Sequence, residues 1–251
     1  MRVELKEKER LDDLGIMGYR IIQNPDLFCF GMDAVLLSAF AKLGEGSRVL
    51  DLCTGNGILP ILLAAKSRAA ALTGLEIQKE SADMAARSVL LNHLEDRVKI
   101  VHGDVRQAEE LFAPASFEAV TCNPPYMLAE HGLENPDRAK AIARHEVLMQ
   151  FEDAARAAER LLVPGGEFYL VHRPFRLVEL LDTLTRHQLE PKTMRFVYPF
   201  VDKEPAMVLI GCKKGAKRYV NVQKPLIIYE RPNVYTREVR DLYDTEGKSC
   251  Q

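Results

Sequence analysis

Two short stretches of the sequence carry side chains whose types and spacing suit chemistry. The first is DLCTGNG at residues 51–57, and the second is NPPY at residues 123–126. Glycines in a turn between a strand and a helix let a ligand approach the backbone at the helix N-terminus. Glu76 follows Gly55 by 21 residues, a spacing from which an acidic residue binds ribose hydroxyls. The first stretch therefore predicts a site for a nucleoside-containing cofactor.

The acid at the start of this turn indicates which cofactor the site accepts. Asp51 lies where a pyrophosphate would be repelled, and the GxGxxG fingerprint of dinucleotide sites is absent. An acidic turn suits a cofactor that has a positive centre and no phosphate, such as S-adenosylmethionine. A tight turn needs glycine for its own geometry, however, and Asp104 is equally well explained as a helix N-cap. The residues expected to bind the cofactor are Asp33, Asp51, Thr54, Gly55, Asn56, Gly57, Glu76, Ile77, Asp104, Val105 and Asn123.

The second stretch ends a short apolar strand with a rigid turn. Pro124 and Pro125 cannot donate hydrogen bonds to a neighbouring strand, so the strand at 117–122 must stop before them. A strand terminus by itself explains one proline, but it does not explain an amide, two prolines and an aromatic ring together. In open α/β folds ligands bind at the carboxyl ends of the strands. We therefore expect Asn123, the Pro124 carbonyl and Tyr126 to form a catalytic group beside the cofactor turn.

The elements that must position these residues alternate between strands and helices. The predicted strands are 48–52, 71–77, 97–101, 117–122, 167–172, 192–199 and 206–212, after a short strand at 19–23; the main helices are 34–40, 58–67, 78–93, 145–162 and 174–187. This alternation predicts an α/β, Rossmann-like fold with a mostly parallel seven-stranded sheet and helices on both faces. The linker between the last two strands is too short for a helix, so they form an antiparallel hairpin.

Length and charge bound the organisation of the chain. The 251 residues are 47% hydrophobic, which is enough for a substantial core. We expect a single domain, with an N-terminal cap segment at 1–46, a core at 47–215 and a C-terminal extension at 216–251. Residues 1–171 carry a net charge of −7 and residues 172–251 a net charge of +5. The basic end predicts either a surface that faces a polyanion or a solvated basic face.

The cysteines and the N-terminus indicate a cytoplasmic protein. Cys29, Cys53, Cys122, Cys212 and Cys250 form no CxxC pair and no zinc-like spacing with histidines, so we expect reduced thiols and no metal site. The first ten residues are too charged for a signal peptide. No apolar run approaches the roughly 18 residues that a membrane span requires.

In their order and spacing, these motifs resemble those of the class I, Rossmann-like S-adenosylmethionine-dependent methyltransferases. With the segment FGMDAVLL at 30–37, the stretch ARHE at 143–146 and the C-terminal hairpin, the chain resembles the bacterial tRNA N6-adenine methyltransferases. Those enzymes modify valine tRNA beside the anticodon, and the likeness covers nearly the whole chain. One departure is Cys53, where many relatives carry glycine; we expect the small thiol to fit without loss of cofactor binding.

The resemblance implies a reaction and a set of residues. Asn123 and the Pro124 carbonyl accept the two N–H bonds of an exocyclic amine, Tyr126 stacks on the base, and the methyl group passes by direct in-line transfer. Neither a metal nor a covalent intermediate is expected, and the enzyme is expected to be a monomer or a weak dimer. The residues expected to bind the tRNA substrate are Pro125, Tyr126, Arg138, Arg144, Arg173, Lys213 and Lys214.

Three other functions compete with this interpretation. The NPPY turn also fits a glutamine N5-methyltransferase that acts on a release factor, although such enzymes carry a helical substrate domain before the cofactor fold. Only about 46 residues precede the first core strand here, and they do not read as a helical bundle. A non-catalytic RNA-binding protein on the same scaffold would be expected to have lost Asn123 or the glycine turn. A nicotinamide-dependent oxidoreductase is disfavoured by Asp51 and by the missing GxGxxG.

Overall fold

The computed structural model describes residues 3–27, 29–124 and 150–243. The strands are β1 Arg10–Asp13, β2 Arg20–Gln23, β3 Arg48–Leu52, β4 Ala71–Glu76, β5 Val98–His102, β6 Phe117–Cys122, β7 Leu162–His172, β8 Leu189–Tyr198, β9 Met207–Lys214, β10 Asn221–Val222, β11 Leu226–Ile227, β12 Tyr229–Arg231 and β13 Val234–Tyr235. The helices are α1 Met32–Phe40, α2 Ile58–Lys66, α3 Lys79–Leu91, α4 Ala108–Leu111, α5 Phe151–Leu161, α6 Leu177–Arg186 and α7 Arg237–Arg240. Two 3-10 turns, Val105–Gln107 and Pro174–Arg176, precede α4 and α6.

A nine-stranded sheet forms the centre of the molecule, in the order β10-β8-β9-β7-β6-β3-β4-β5 with β11 also paired to β8. Strands β7, β6, β3, β4 and β5 are parallel, whereas β9 is antiparallel to both β7 and β8. The predicted α/β fold with a mostly parallel seven-stranded sheet and an antiparallel hairpin is therefore confirmed. The two-residue strands β10 and β11 add to the outer side of β8 and were not predicted.

The sheet is buried on both faces because its strands are nearly continuous apolar runs. Successive residues of β3 point to opposite sides: Val49 packs into one core and Leu50 into the other. The first core also contains Leu14 and Ile21 from the N-terminal segment and Leu226 from the C-terminal extension. The described parts of the N-terminal segment and of the C-terminal extension thus pack into the same core.

The direction of the strands decides which residues meet. The parallel strands end at one edge of the sheet, which we call the carboxyl edge. Because β9 runs antiparallel to both of its neighbours, the end of β8 and the start of β9 lie at that same edge. The connection at 199–206 and the residues that directly follow β11 therefore also lie on the carboxyl side.

One predicted boundary was clearly wrong. The helix predicted to end at 162 ends at Leu161, but β7, predicted to begin at 167, begins at Leu162 and runs through Pro164-Gly165-Gly166. The extra residues form an irregularity in the pairing of β6 with β7, between Phe117 and Ala119, and Gly165 has φ 74°. A bulge tolerates proline and glycine inside a strand. The charged N-terminus, for which no element was predicted, contains β1, and β1 pairs with β2.

In the part of the chain described here, no helix combines the length and the apolar character needed to cross a membrane. The stretch 125–149 lies outside the described residues, and with it the predicted start of the helix at 145.

Candidate active site

The turn between β3 and α2 has an unusual backbone. Cys53, Gly55 and Gly57 all have left-handed φ values, of 59°, 59° and 83°. Glycine adopts this conformation without strain, whereas Cys53, which carries a Cβ atom, adopts it at some cost. At Gly57, which precedes α2, a Cβ atom would come within 3.0 Å of Ala85 Cβ. At Gly55 a Cβ atom would meet no atom within 4 Å, so the turn is open there.

Glu76 lies at the end of β4, directly beside this turn. Its side chain is buried, with Oε2 accepting a 2.8 Å hydrogen bond from the Gly55 amide and Oε1 accepting one of 2.8 Å from the Gln78 amide. Burial raises the pKa of Glu76 despite these two donors. Ile77 follows it and is half-buried. The acid predicted from its spacing to bind a ribose is thus held against the backbone of the glycine turn.

Asp51 is the most deeply buried acid of the site, and only 1% of the residue is exposed. Its Oδ1 accepts a 2.6 Å hydrogen bond from the Thr121 hydroxyl, and its Oδ2 has no partner among the described residues. Burial raises the pKa of Asp51 from 3.8 to about 7, against the lowering effect of Thr121. The buried Thr54 hydroxyl also lowers this pKa, although it makes no hydrogen bond of normal geometry. The unpaired oxygen is suited to a positively charged ligand.

Asp104 follows β5 and caps the 3-10 turn Val105–Gln107. Its side chain accepts a 2.9 Å hydrogen bond from the Arg106 amide and pairs with the Arg106 guanidinium at 2.5 Å. The hydrogen bond from Arg106 lowers the pKa of Asp104. The N-cap that the sequence left as an alternative for Asp104 is therefore present. Val105 is buried in the second core.

Asn123 and Pro124 stand at the carboxyl edge, immediately after β6. Pro124 is buried and Asn123 is half-buried, and Asn123 Oδ1 is enclosed without a hydrogen-bond partner in the described part of the chain. An enclosed amide oxygen without a donor is costly unless a ligand supplies one. Of the other predicted substrate residues, Pro125, Tyr126, Arg138 and Arg144 lie outside the described residues.

The N-terminal hairpin holds Asn56 in place and also binds the segment before α1, which the sequence did not reveal. Asn56 Nδ2 donates to the Ile22 carbonyl at 3.5 Å, while the Ile22 amide donates to the Ser88 hydroxyl at 3.0 Å. The Phe30 amide donates to Gln23 Oε1 at 3.0 Å, just before α1 begins. Asp33 lies buried in the first turn of α1. No local sequence signal links these residues, because the contacts join segments far apart in the chain.

His172, at the end of β7, was not singled out in the sequence. It is buried, its Nδ1 accepts a 2.8 Å hydrogen bond from the Arg173 amide, and burial lowers its pKa to about 4. His172 is therefore neutral at physiological pH, and it packs edge-on against Phe151 with ring centroids 6.1 Å apart. Neutral His172 therefore has a packing role at the end of β7, the strand that neighbours β6.

The predicted basic contacts are divided between the two edges of the sheet. Arg173 lies at the carboxyl edge, where its guanidinium donates to the Ala206 carbonyl at 2.9 Å. Lys213 and Lys214 lie at the opposite edge, because β9 runs away from the site. Lys214 Nζ donates to the Leu162 carbonyl at 2.8 Å and also to the Glu159 carbonyl. Neither lysine belongs to the group around Asn123.

The cysteines in the described ranges, Cys29, Cys53, Cys122 and Cys212, form no disulfide. The contact with Cys122 and burial raise the pKa of the Cys53 thiol well above its usual value. A thiol in this state is a poor nucleophile, which fits a packing role in the turn. Within the same ranges, no group of three His, Cys, Asp or Glu side chains is arranged to hold a metal ion.

The fold and the site together define a class I methyltransferase, and the comparisons with known proteins identify the family. Residues 19–196 match the methyltransferase small domain family, and the chain belongs to it. An Aeromonas salmonicida protein named tRNA1(Val) (adenine(37)-N6)-methyltransferase is 28% identical over 82% of this chain and 84% of its own length. A Porphyromonas gingivalis protein of the same name is 30% identical over 71% of this chain and 72% of its own length.

Solved structures agree on the fold. A predicted O-methyltransferase from Agrobacterium tumefaciens superposes with a TM-score of 0.69 at 25% identity, over 84% of this chain and 95% of that one. A 16S rRNA N2 methyltransferase from Thermus thermophilus, solved with AdoMet and guanosine, gives a TM-score of 0.60 at 23% identity, over 84% of this chain and 52% of that one.

Proposed function

We propose that this enzyme uses S-adenosylmethionine to methylate the N6 amine of an adenine in tRNA, beside the anticodon of a valine tRNA. The observation that carries the proposal is the enclosed, unpaired Asn123 Oδ1 at the end of β6, two residues beyond the Thr121 that holds Asp51. The names of the relatives support tRNA as the substrate and adenine N6 as the acceptor.

The residues of the acidic turn suit S-adenosylmethionine. Asp51 Oδ2 offers a buried acceptor without a partner in the described chain, as a ligand with a positive charge requires. Glu76 is positioned by two backbone amides beside an open Gly55, where hydroxyl groups of a ribose find an acceptor. Asn56 and Asp33 complete the lining of the proposed cofactor site. The cofactor, when bound, supplies a methyl group on a sulfonium centre.

The residues after β6 hold the acceptor. An exocyclic amine of adenine has its lone pair delocalised into the ring, so it is a poor nucleophile. Asn123 Oδ1 and the Pro124 carbonyl accept its two N–H bonds, which orients the nitrogen and favours its pyramidal form. The predicted stacking of Tyr126 on the base would fix the plane of the ring. A base in a tRNA loop reaches this pocket when it is unstacked.

The adenine in RNA is favoured over a glutamine side chain by two observations. The described residues before β3 form a small hairpin and a single helix that pack on the fold, not a helical substrate domain. The named relatives are tRNA enzymes over most of the chain. The intact Asn123 and glycine turn also disfavour a scaffold that only binds RNA.

A labelled-methyl assay tests the proposal. Purified enzyme with tritiated S-adenosylmethionine is incubated with total tRNA, with release factor, or with neither, and labelled RNA is digested to nucleosides. We expect label in tRNA as N6-methyladenosine, and no label in tRNA with the Asn123→Ala variant, which still binds cofactor. Label on the release factor, or normal turnover by Asn123→Ala, would overturn it.

A further inference from the structure

The outer side of the sheet carries an unusual extension of the chain. After β9 the chain reverses, and β10 and β11 run parallel to β8, with Asn221 opposite Thr193 and Leu226 opposite Val197. Residues 217–227 therefore follow β8 from the opposite edge of the sheet toward the carboxyl edge. In the described chain no other strand pairs with β10, so this segment forms the outer border of the sheet.

This border is strongly basic. Residues 217–227 contain three Lys and Arg and no Asp or Glu. Lys217, Arg218 and Lys224 are exposed, and none of them forms an ion pair with an acid of the described residues. Exposed arginines elsewhere, such as Arg106 and Arg186, are paired with carboxylates at 2.5 and 3.0 Å. Uncompensated cations are thus concentrated along one side of the molecule.

An aromatic ring lies among these cations. Tyr219 is 70% exposed, and Lys192 Nζ lies 5.4 Å from the centroid of its ring. The same ammonium group donates a 2.9 Å hydrogen bond to the Lys217 carbonyl, which fastens the segment to β8. Rings and cations alternating on an exposed surface are typical of sites that bind nucleic-acid backbones and stack on bases. We call Lys192, Lys217, Arg218, Tyr219 and Lys224 the edge strip.

We propose that the edge strip binds the sugar-phosphate backbone of the tRNA substrate, away from the reacting base. From Tyr219 to the end of β11 the segment spans about 25 to 30 Å of extended chain, and it leads toward the carboxyl edge where Asn123 stands. The strip can therefore contact a stem while the loop reaches Asn123. This inference rests on the proposed function, since it names the surface that holds the same substrate.

A pair of charge reversals provides the test. Arg218→Glu lies in the strip, and Lys99→Glu is the matched control, because Lys99 is exposed on β5 at the opposite end of the sheet. Binding of unmodified tRNA is measured by fluorescence anisotropy across a salt series, together with kcat and KM for methyl transfer. We expect Arg218→Glu to weaken tRNA binding about tenfold, to reduce the salt slope and to raise KM with kcat retained. Lys99→Glu should change binding less than about twofold, and both variants should bind cofactor as the wild type does.

A second pair tests the ring. Tyr219→Ala should weaken tRNA binding several-fold, while Tyr219→Phe, which keeps the ring, should restore it. If wild-type enzyme methylates tRNA but Arg218→Glu keeps the wild-type KM and salt slope, the strip proposal fails and the proposed function stands. Loss of a wild-type dimer in Arg218→Glu, with tRNA affinity unchanged, would assign the strip to self-association and also overturn the proposal. Wild-type enzyme that neither binds nor methylates tRNA would contradict both.

Discussion

Thr121 on β6 donates a 2.6 Å hydrogen bond to Asp51 on β3, and the two residues are direct partners in the parallel pairing of these strands. The bond joins the strand that ends in Asn123 to the strand that opens the cofactor turn. It occupies Asp51 Oδ1 and leaves Oδ2 for a ligand. Thr121 thus orients the acid of the cofactor site from the strand that holds the acceptor.

Two substitutions at Thr121 distinguish the contribution of its hydroxyl group from the contribution of its shape. Thr121→Val removes the donor and leaves a buried carboxylate oxygen unpaired, which costs about 1–3 kcal/mol and raises the pKa of Asp51 further. We expect roughly tenfold weaker S-adenosylmethionine binding by calorimetry, with the pH at half-maximal affinity moved upward. Thr121→Ser keeps the hydroxyl and should restore both values. Equal affinities in Val and Ser variants would assign Thr121 a packing role only.

The raised pKa of Asp51 makes stability depend on pH. The folded pKa of about 7 exceeds the usual 3.8, so the folded cofactor-free protein holds this proton more tightly than the unfolded chain does. The resulting stabilisation is complete below about pH 4 and is lost as pH rises toward 7, with a slope of up to about 1.4 kcal/mol per pH unit. Urea unfolding of the wild type and Asp51→Asn at several pH values measures the difference. Asp51→Asn should lack the part of the pH dependence of unfolding free energy that comes from Asp51. Identical slopes for the two proteins would contradict this prediction.

Cofactor binding should show the opposite dependence. A positively charged ligand prefers the ionised carboxylate, so affinity should rise between about pH 6 and 8 and binding should release a proton. Calorimetry in buffers with different ionisation enthalpies detects that proton directly. Asp51→Asn should bind more weakly and with a flat pH profile over the same range.

The two glycines of the turn should respond differently to alanine. At Gly57, with φ 83°, a methyl group would strain the backbone and press on Ala85 at 3.0 Å. We expect Gly57→Ala to lower the free energy of unfolding by about 1–3 kcal/mol. At Gly55 an added Cβ would meet no described atom within 4 Å beyond its chain neighbours, so Gly55→Ala should cost only about 1 kcal/mol of strain yet weaken cofactor binding clearly. Denaturant unfolding and calorimetry on both variants check this; a larger stability loss at Gly55 than at Gly57 would refute it.

The sequence predicted the sheet well because the parallel strands are distinct apolar runs separated by amphipathic helices. It failed where local pattern and pairing conflict: Pro164-Gly165-Gly166 is typical of a loop, but the bulge places it inside β7. The strand β1 was missed because its residues are mostly charged, and its pairing with β2 determines its structure.

The candidate site was predictable only in part. Asp51, Glu76 and Asn123 stand out because their residue types occur at strand ends, where parallel strands bring them together. Thr121 gives no such signal, since a threonine in a strand is ordinary and its importance depends on the register between β3 and β6. The sequence also did not show where Lys213 and Lys214 lie, because the antiparallel direction of β9 places them at the edge of the sheet away from Asn123. Their contact with tRNA stays a prediction.

The measurement that tests the central claim most directly uses a valine tRNA transcript. The transcript is incubated with the enzyme and S-adenosylmethionine, and its nucleosides are analysed by mass spectrometry beside a transcript in which the adenine at position 37 is replaced by guanine. The position is taken from the names of the relatives. We expect N6-methyladenosine from the first transcript and none from the second. No methylation of either transcript, or equal methylation of both, would contradict the account.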